Sequence, residues 1–249
     1  MTWREPHCDK FACLTYHLIG EGSGQYILSE MHLRHQLDFL NTEGYIIDDF
    51  EGLEAKLRAE APLPNRYVVL TIDDGHESSM RVADMLQAHQ FRATFFLSRD
   101  RCLGKPNFIR ESHIRELRKR GFSLGTHGTT HRKLSFMHSK ACAFELEESK
   151  QWLEDVLGEG VRYMSAPGGY INDRVLQLAY ESGYILVGTC RERMNSSCKM
   201  RLPCTVNRVN IRRQFSHRDF CSVVGGHLVF YSWRQIRSEA LSLPKQILR

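Results

Sequence analysis

The feature that most constrains this chain is a rhythm: short apolar runs alternate with longer segments of helical period about six times along its length. A buried parallel strand reads as a brief continuous apolar run and its crossover as a helix, so the rhythm predicts repeated strand–helix units around a parallel sheet. Strands are expected at 12–17, 67–72, 93–97, 122–126, 161–166 and 184–189, with a last one at 205–211. Between them Leu33, Leu37 and Leu40 recur at helical spacing before Gly44, and Val82, Met85 and Leu86 do so before the turn at Phe91. Ser139 is the expected cap of a long helix carrying Phe144, Trp152 and Leu153 and stopping at Gly158. Asn172 is the expected cap of another, carrying Val175, Leu176 and Ala179 and stopping at Gly183. Residues 191–203 read as irregular and polar, and final helices are expected near 216–224 and 231–241. A closed α/β barrel needs about 250 residues, which the 249 of this chain supply, so the expected fold is α/β, a single distorted (β/α) barrel of about seven strands forming one domain over 1–249.

Composition excludes several classes of function. With 42% hydrophobic and 25% charged residues the chain is globular in character, and no run approaches the roughly 18 to 20 apolar residues of a transmembrane segment. The net charge of +5 is spread among acids apart from clusters at 115–120 and 191–201, so no nucleic-acid partner is expected. A basic rim could instead attract an anionic sugar carrier, or simply be solvated surface. Residues 1–12 contain two acids and no apolar core, unlike a secretory signal, and a cytoplasmic location is expected. The 8 cysteines lie scattered without a C-x-x-C pair, which points to reduced thiols rather than a zinc knuckle or a disulfide framework.

The chemistry-bearing residues fall just after expected strands. Val68-Val69-Leu70-Thr71-Ile72 runs into Asp73-Asp74-Gly75, and two adjacent carboxylates repel unless a cation or an arginine lies beside them. Alternation along a strand points them in different directions, which suits two separate roles; the alternative is a helix cap or an Asx turn. His127 and His131, in Gly125-Thr126-His127-Gly128-Thr129-Thr130-His131, would face the same way and could share one cation if the loop turned helically. With Asp74 they make an Asp-His-His set that leaves coordination positions open, the pattern of a catalytic rather than a structural metal site. Ser165-Ala166-Pro167-Gly168-Gly169-Tyr170 follows another strand; its glycines let backbone approach a ligand, or it is a plain loop into the next helix. Leu14-Thr15-Tyr16-His17 ends the first apolar run in a histidine.

These motifs together resemble the polysaccharide deacetylases, the NodB-homology group or carbohydrate esterase family four, over most of the chain. Thr71-Ile72-Asp73-Asp74-Gly75 matches the family's T-F-D-D-G, which implies Asp73 as general base and Asp74 as metal ligand. His127 and His131 match H-S/T-x-x-H and would complete the metal triad, with Gly128 where the family has Ser or Thr. Ser165-Ala166-Pro167-Gly168-Gly169 matches R-P-P-Y-G, with the Gly168 amide as oxyanion donor and Pro167 and Tyr170 beside the substrate. Ser165 replaces the arginine that braces the catalytic aspartate, and Arg208 is the candidate substitute. A C-terminal L-x-x-H is missing, since His217 and His227 lie in other contexts, and the tryptophan-bearing fourth motif is not visible. Leu14-Thr15-Tyr16-His17 fits that histidine motif, as in the circularly permuted branch that includes the biofilm poly-N-acetylglucosamine deacetylases, which makes His17 the general acid.

The resemblance implies a fold of the polysaccharide deacetylase type and a hydrolase that removes an N-acetyl group from an amino sugar. One divalent metal ion is expected, zinc by its ligands, with cobalt, nickel or manganese compatible. The substrate the resemblance implies is an oligo- or polysaccharide, a lipid-linked sugar or a small glycoside. Two alternatives stay open: hydrolysis of another N-acyl or N-formyl amide, and a glycan-binding protein that lost turnover with the arginine at Ser165.

Overall fold

The computed structural model of the protein describes residues 10–227 together with 230 and 231. Cys8, most of the segment read as non-secretory and the last expected helix beyond Tyr231 lie outside the described residues. The first strand, β1 (Lys10–Tyr16), is followed by a small parallel pair, β2 (Leu18–Ile19) and β3 (Ile27–Leu28), and by helix α1 (Glu30–Thr42). Then come β4 (Ile46–Asp48), α2 (Phe50–Arg58), β5 (Tyr67–Ile72), α3 (Ser79–Ala88), β6 (Thr94–Leu97), α4 (Arg99–Gly104), α5 (Glu111–Lys119) and β7 (Ser123–Thr126). The long α6 (Ser139–Leu157) leads to β8 (Tyr163–Ser165), α7 (Asp173–Glu181), β9 (Leu186–Thr189), β10 (Asn195–Ser196), β11 (Cys204–Asn207), β12 (Val209–Asn210) and α8 (His217–Val224).

β1, β5, β6, β7, β8, β9 and β11 are neighbours in that order, and all of these pairings are parallel. Closure is made by one stretch of chain: β11 pairs with β9, and after Arg208 the same strand continues as β12 beside β1. The result is the expected distorted α/β barrel with seven strand positions, plus β4 on β5 and β10 on β1 as additions.

Two-residue alternation sorts the strands into two cores. Ala12, Leu14, Tyr16, Val68, Leu70, Ile72, Leu124 and Met164 face the helices and share a cluster with Leu33, Leu37, Val82, Leu146 and Leu153. Phe11, Cys13, Val69, Phe96, Tyr163, Leu186 and Val206 fill the barrel interior. The same parity sends Thr15, Thr71 and Ser165 inward, and the residues that follow next on the inward count are His17, Asp73, His127 and Arg208. Thr15 and Thr71 hydrogen-bond at 3.0 Å, so the interior turns polar toward the C-terminal ends of the strands.

Several local expectations need correction. The single strand at 205–211 is broken at Arg208, because the chain there changes neighbour from β9 to β1. Residues 191–203 are not wholly irregular: Asn195 and Ser196 pair antiparallel with Phe11 and Lys10. Ser139 is the first helical residue of α6 and His138 the cap position, without a side-chain cap bond. Of the three residues expected on this helix, Trp152 and Leu153 are buried and Phe144 faces solvent. Gly158, in the left-handed conformation, does end α6, and the Asn172 side chain does accept from the Val175 amide to cap α7. Among the described residues, no helix is long and apolar enough to cross a membrane.

Candidate active site

Asp73 is the first residue past β5 and lies inside the barrel, 2% exposed. The Arg208 guanidinium, fully buried, meets it with two parallel bonds: Nη1 donates to Oδ1 at 2.7 Å and Nη2 to Oδ2 at 2.9 Å. Nη2 also donates to Ser165 Oγ at 2.5 Å, and Ser165 Oγ donates to Asp73 Oδ2 at 3.0 Å. Arg208 Nε donates to the Thr189 carbonyl at 3.3 Å, and its Cζ lies 5.3 Å from the Phe96 ring centroid. Such paired bonds fix a carboxylate's plane as well as its charge. The kink between β11 and β12 aims Arg208 inward, and Gly188 makes room, since a Cβ there would come within 2.8 Å of Arg208 Nε. Burial alone would raise the Asp73 carboxyl, but Arg208, together with His127 and His17, more than offsets it and holds the pKa at about 2.

Asp74 turns away from this pair, with a φ of 82° that sends the chain out of the strand. Its Oδ1 lies 3.4 Å from His127 Nε2 and 2.9 Å from His131 Nε2, and the three side chains can offer ligand atoms all within 4.8 Å of one another. The expected helical turn is absent. His127 follows β7 outside any helix, Gly128 has φ 71° and His131 φ 61°, so the rings converge through left-handed turns. A non-glycine residue at positive φ is sparsely populated and costs on the order of 1–3 kcal/mol, and such strain gathers at functional sites.

This loop is held from both sides. The Glu145 carboxylate of α6 accepts the Thr129 amide at 2.8 Å and the Thr130 amide at 2.9 Å, as well as the Thr130 hydroxyl. The first amides of α4, Arg99 and Asp100, donate to the Gly128 and Thr129 carbonyls. A Cβ at Gly128 would lie 3.3 Å from both Glu145 Oε2 and Pro167 Cγ, which accounts for glycine there. His127 Nδ1 donates to the Ser165 carbonyl at 2.8 Å, leaving Nε2 as the nitrogen that faces Asp74. Burial pushes the His127 pKa down to about 4, so the ring is neutral and its lone pair free near neutral pH. Two nitrogens, one carboxylate oxygen and an oriented imidazole suit a divalent cation well.

His17 follows β1 and stacks on Tyr26, ring centroids 4.9 Å apart. Its Nδ1 is buried without a hydrogen-bond partner. Burial lowers its pKa, while Asp73 and Asp74 pull it up, so it lies within their electrostatic reach. Pro167, Gly168 and Gly169 form a tight turn in which Gly168 has φ 68°, and Tyr170 leaves it half exposed.

Sequence reasoning missed three contributors. Glu145 is a buried acid on the apolar face of α6, a position that itself signals a hidden partner. Tyr26 gave no signal. Arg101 of α4 has Nη1 2.8 Å from Asp74 Oδ1, and its Nη2 donates to His131 Nδ1 at 3.0 Å, from a short polar helix that gave no sign of the site.

An α/β barrel with paired acids and two histidines at the strand ends defines a hydrolase-type site, and the comparisons with known proteins agree on which kind. The family profile described as polysaccharide deacetylase matches residues 60–187. The chain belongs to the polysaccharide deacetylase family. A peptidoglycan-N-acetylglucosamine deacetylase of Bacillus cereus is 28% identical over 127 residues, 50% of this chain and 57% of that protein. The chain spans between about a quarter and three-fifths of the length of the curated relatives it matches. Two solved structures share the fold. Streptococcus pyogenes deacetylase PplD in complex with acetate has a TM-score of 0.78 at 22% identity, covering 86% of this chain and 98% of that one. IcaB from Ammonifex degensii has a TM-score of 0.76 at 22% identity, covering 91% and 97%.

Proposed function

We propose that the protein is a metal-dependent N-deacetylase that hydrolyses the acetamide of an N-acetylated amino sugar and releases acetate. The observation that carries this reading is the division between adjacent carboxylates: Asp73 is gripped by Arg208 inside the barrel, and Asp74 faces two imidazoles. Asp74, His127 and His131 would hold one divalent cation, zinc suiting the donor set best and cobalt, nickel or manganese compatible with it. Such a cation, when bound, polarises an amide carbonyl and acidifies a water.

Asp73, ionised down to a pH of about 2, accepts the proton of the attacking water. So weak a base is effective only toward an acidified water, which agrees with a cation beside it. The Gly168 amide donates to the carbonyl oxygen as negative charge develops on it, and Pro167 and Tyr170 line the same side of the groove. His17 gives a proton to the departing nitrogen. Its delivery by β1, the strand beside β5, supports placing the protein in the permuted branch of the family, and a cytoplasmic location belongs to the same proposal. The binding-only alternative rested on the loss of an arginine at Ser165; Arg208 supplies a guanidinium at that point, which favours turnover.

The test is product analysis with zinc-loaded protein on N-acetyl, N-propionyl and N-formyl glucosamine oligomers and on a non-sugar acetamide. Acetate from the N-acetyl sugar in clear excess over the other products is the expected outcome. Preferential release from the formamide or the non-sugar amide would move the function to another amide.

A further inference from the structure

Beside Gly168 lies a cluster that the chemistry above does not explain. The Lys133 stem passes over Gly168, where a Cβ would meet Lys133 Cε at 3.5 Å and Tyr170 Cδ2 at 3.6 Å. The Lys133 ammonium stands 4.7 Å from the Tyr170 ring centroid and 6.0 Å from that of Phe136. Tyr170 is 46% exposed and Phe136 80%. A single exposed aromatic is ordinary. Phe136, however, is held out by construction: buried Leu134 anchors its turn, and Arg174 of α7 donates Nη2 to the carbonyls of Met137 at 2.7 Å and of Leu134 and Ser135 at 3.4 Å. The turn therefore cannot relax to bury the ring without losing those bonds.

Lys133 meets no acid within ion-pair distance among the described residues. An ammonium poised over two rings with no counter-charge is a receptor for anionic oxygens, and rings that face solvent offer a flat surface to the apolar C–H face of a sugar. The position is tied to the candidate site at both ends, since Lys133 comes two residues after His131 and Gly168 three after Ser165.

We propose that Lys133, Tyr170 and Phe136 form a subsite for the sugar unit next to the one deacetylated, and that this unit carries a carboxylate or phosphate received by Lys133. The proposal rests on the deacetylase reading for which sugar reacts. The experiment compares three ligands: a neutral N-acetylglucosamine tetramer, a tetramer of N-acetylglucosamine alternating with glucuronate, and a nucleoside-diphosphate-linked N-acetylglucosamine. Binding is measured by calorimetry on zinc-loaded Asp73→Asn protein, and acetate release on the active protein, each with and without Lys133→Met, Lys133→Arg and Phe136→Ala.

Lys133→Met should weaken a charged ligand about tenfold, and flatten its salt dependence, while the neutral tetramer stays within about twofold. Lys133→Arg should keep the preference, Phe136→Ala should weaken both tetramers, and the charged ligand that gains over the neutral one identifies carboxylate or phosphate. Equal effects of Lys133→Met on charged and neutral ligands, or binding of none of them, would overturn the subsite. Acetate release without a Lys133-dependent preference removes the subsite and leaves the deacetylase. Lys133-dependent binding without acetate from any ligand does the reverse.

Discussion

The two ends of the barrel both bury carboxylates and treat them in opposite ways. At the N-terminal ends of the strands, Asp48 accepts from the Tyr67 hydroxyl at 2.9 Å and from Lys56 at 2.7 Å. Glu54 accepts from the Tyr163 hydroxyl at 2.5 Å and from Arg58 at 2.7 Å, and Asp49 caps α2 through the Gly52 amide and pairs with Arg92. Those cations are partly exposed, and none of these carboxylates is left without a partner. At the other end the balancing cation, Arg208, is itself sealed inside, while His17 Nδ1 and Arg101 Nε are buried with nothing to bond. A satisfied end holds the barrel together; an end with backbone strain, unpaired buried atoms and a sealed ion pair has the character of a functional site.

The sharpest break in this comparison is Arg208→Met. Removing one partner of a fully buried pair leaves Asp73 uncompensated and should cost about 3–5 kcal/mol in urea unfolding, with acetate release abolished. Adding Asp73→Asn should recover part of the stability and none of the turnover. A loss no larger than that of an exposed pair would place Arg208 outside the account.

The second effect is in pH. The His127 pKa falls from 6.5 unfolded to about 4 folded, so the unfolded chain binds the extra proton between those values. The sign follows: this contribution is complete above pH 6.5 and is lost as pH falls toward 4, amounting to roughly 3 kcal/mol. Unfolding titrations of wild type and His127→Gln should diverge in that window, and parallel curves would contradict the assignment.

Arg101→Leu comes third. Arg101 donates to His131 Nδ1, the nitrogen that must carry its own hydrogen when Nε2 gives its lone pair to a cation, and it adds a positive charge beside Asp74. Its removal should tighten zinc binding by about tenfold in a competition titration. The smallest effect belongs to the satisfied end: Tyr163→Phe should cost about 1 kcal/mol of stability and leave acetate release unchanged. Altered turnover there would blur the distinction between the ends.

Much of the site was legible in the sequence because period two is rigid: once 67–72 is a strand, Val69, Thr71 and Asp73 share a face, and Asp74 must leave it. Arg208 could be nominated but not placed, since its position depends on a strand that changes partners at that residue. The two histidines do converge on Asp74, but along a different backbone from the helical one their spacing suggested. A four-residue spacing suits a helical turn, and only long-range contacts from Glu145 and α4 impose the left-handed path instead.

The central claim is that Asp73 and a cation held by Asp74, His127 and His131 act together on an acetamide. It is tested most directly by counting acetate released from an N-acetylglucosamine tetramer by zinc-loaded, chelator-stripped and Asp73→Asn protein, with bound metal measured in each. The account predicts one metal per chain in wild type and in Asp73→Asn, with acetate only from the zinc-loaded wild type. Acetate released equally by the stripped protein or by Asp73→Asn would contradict it.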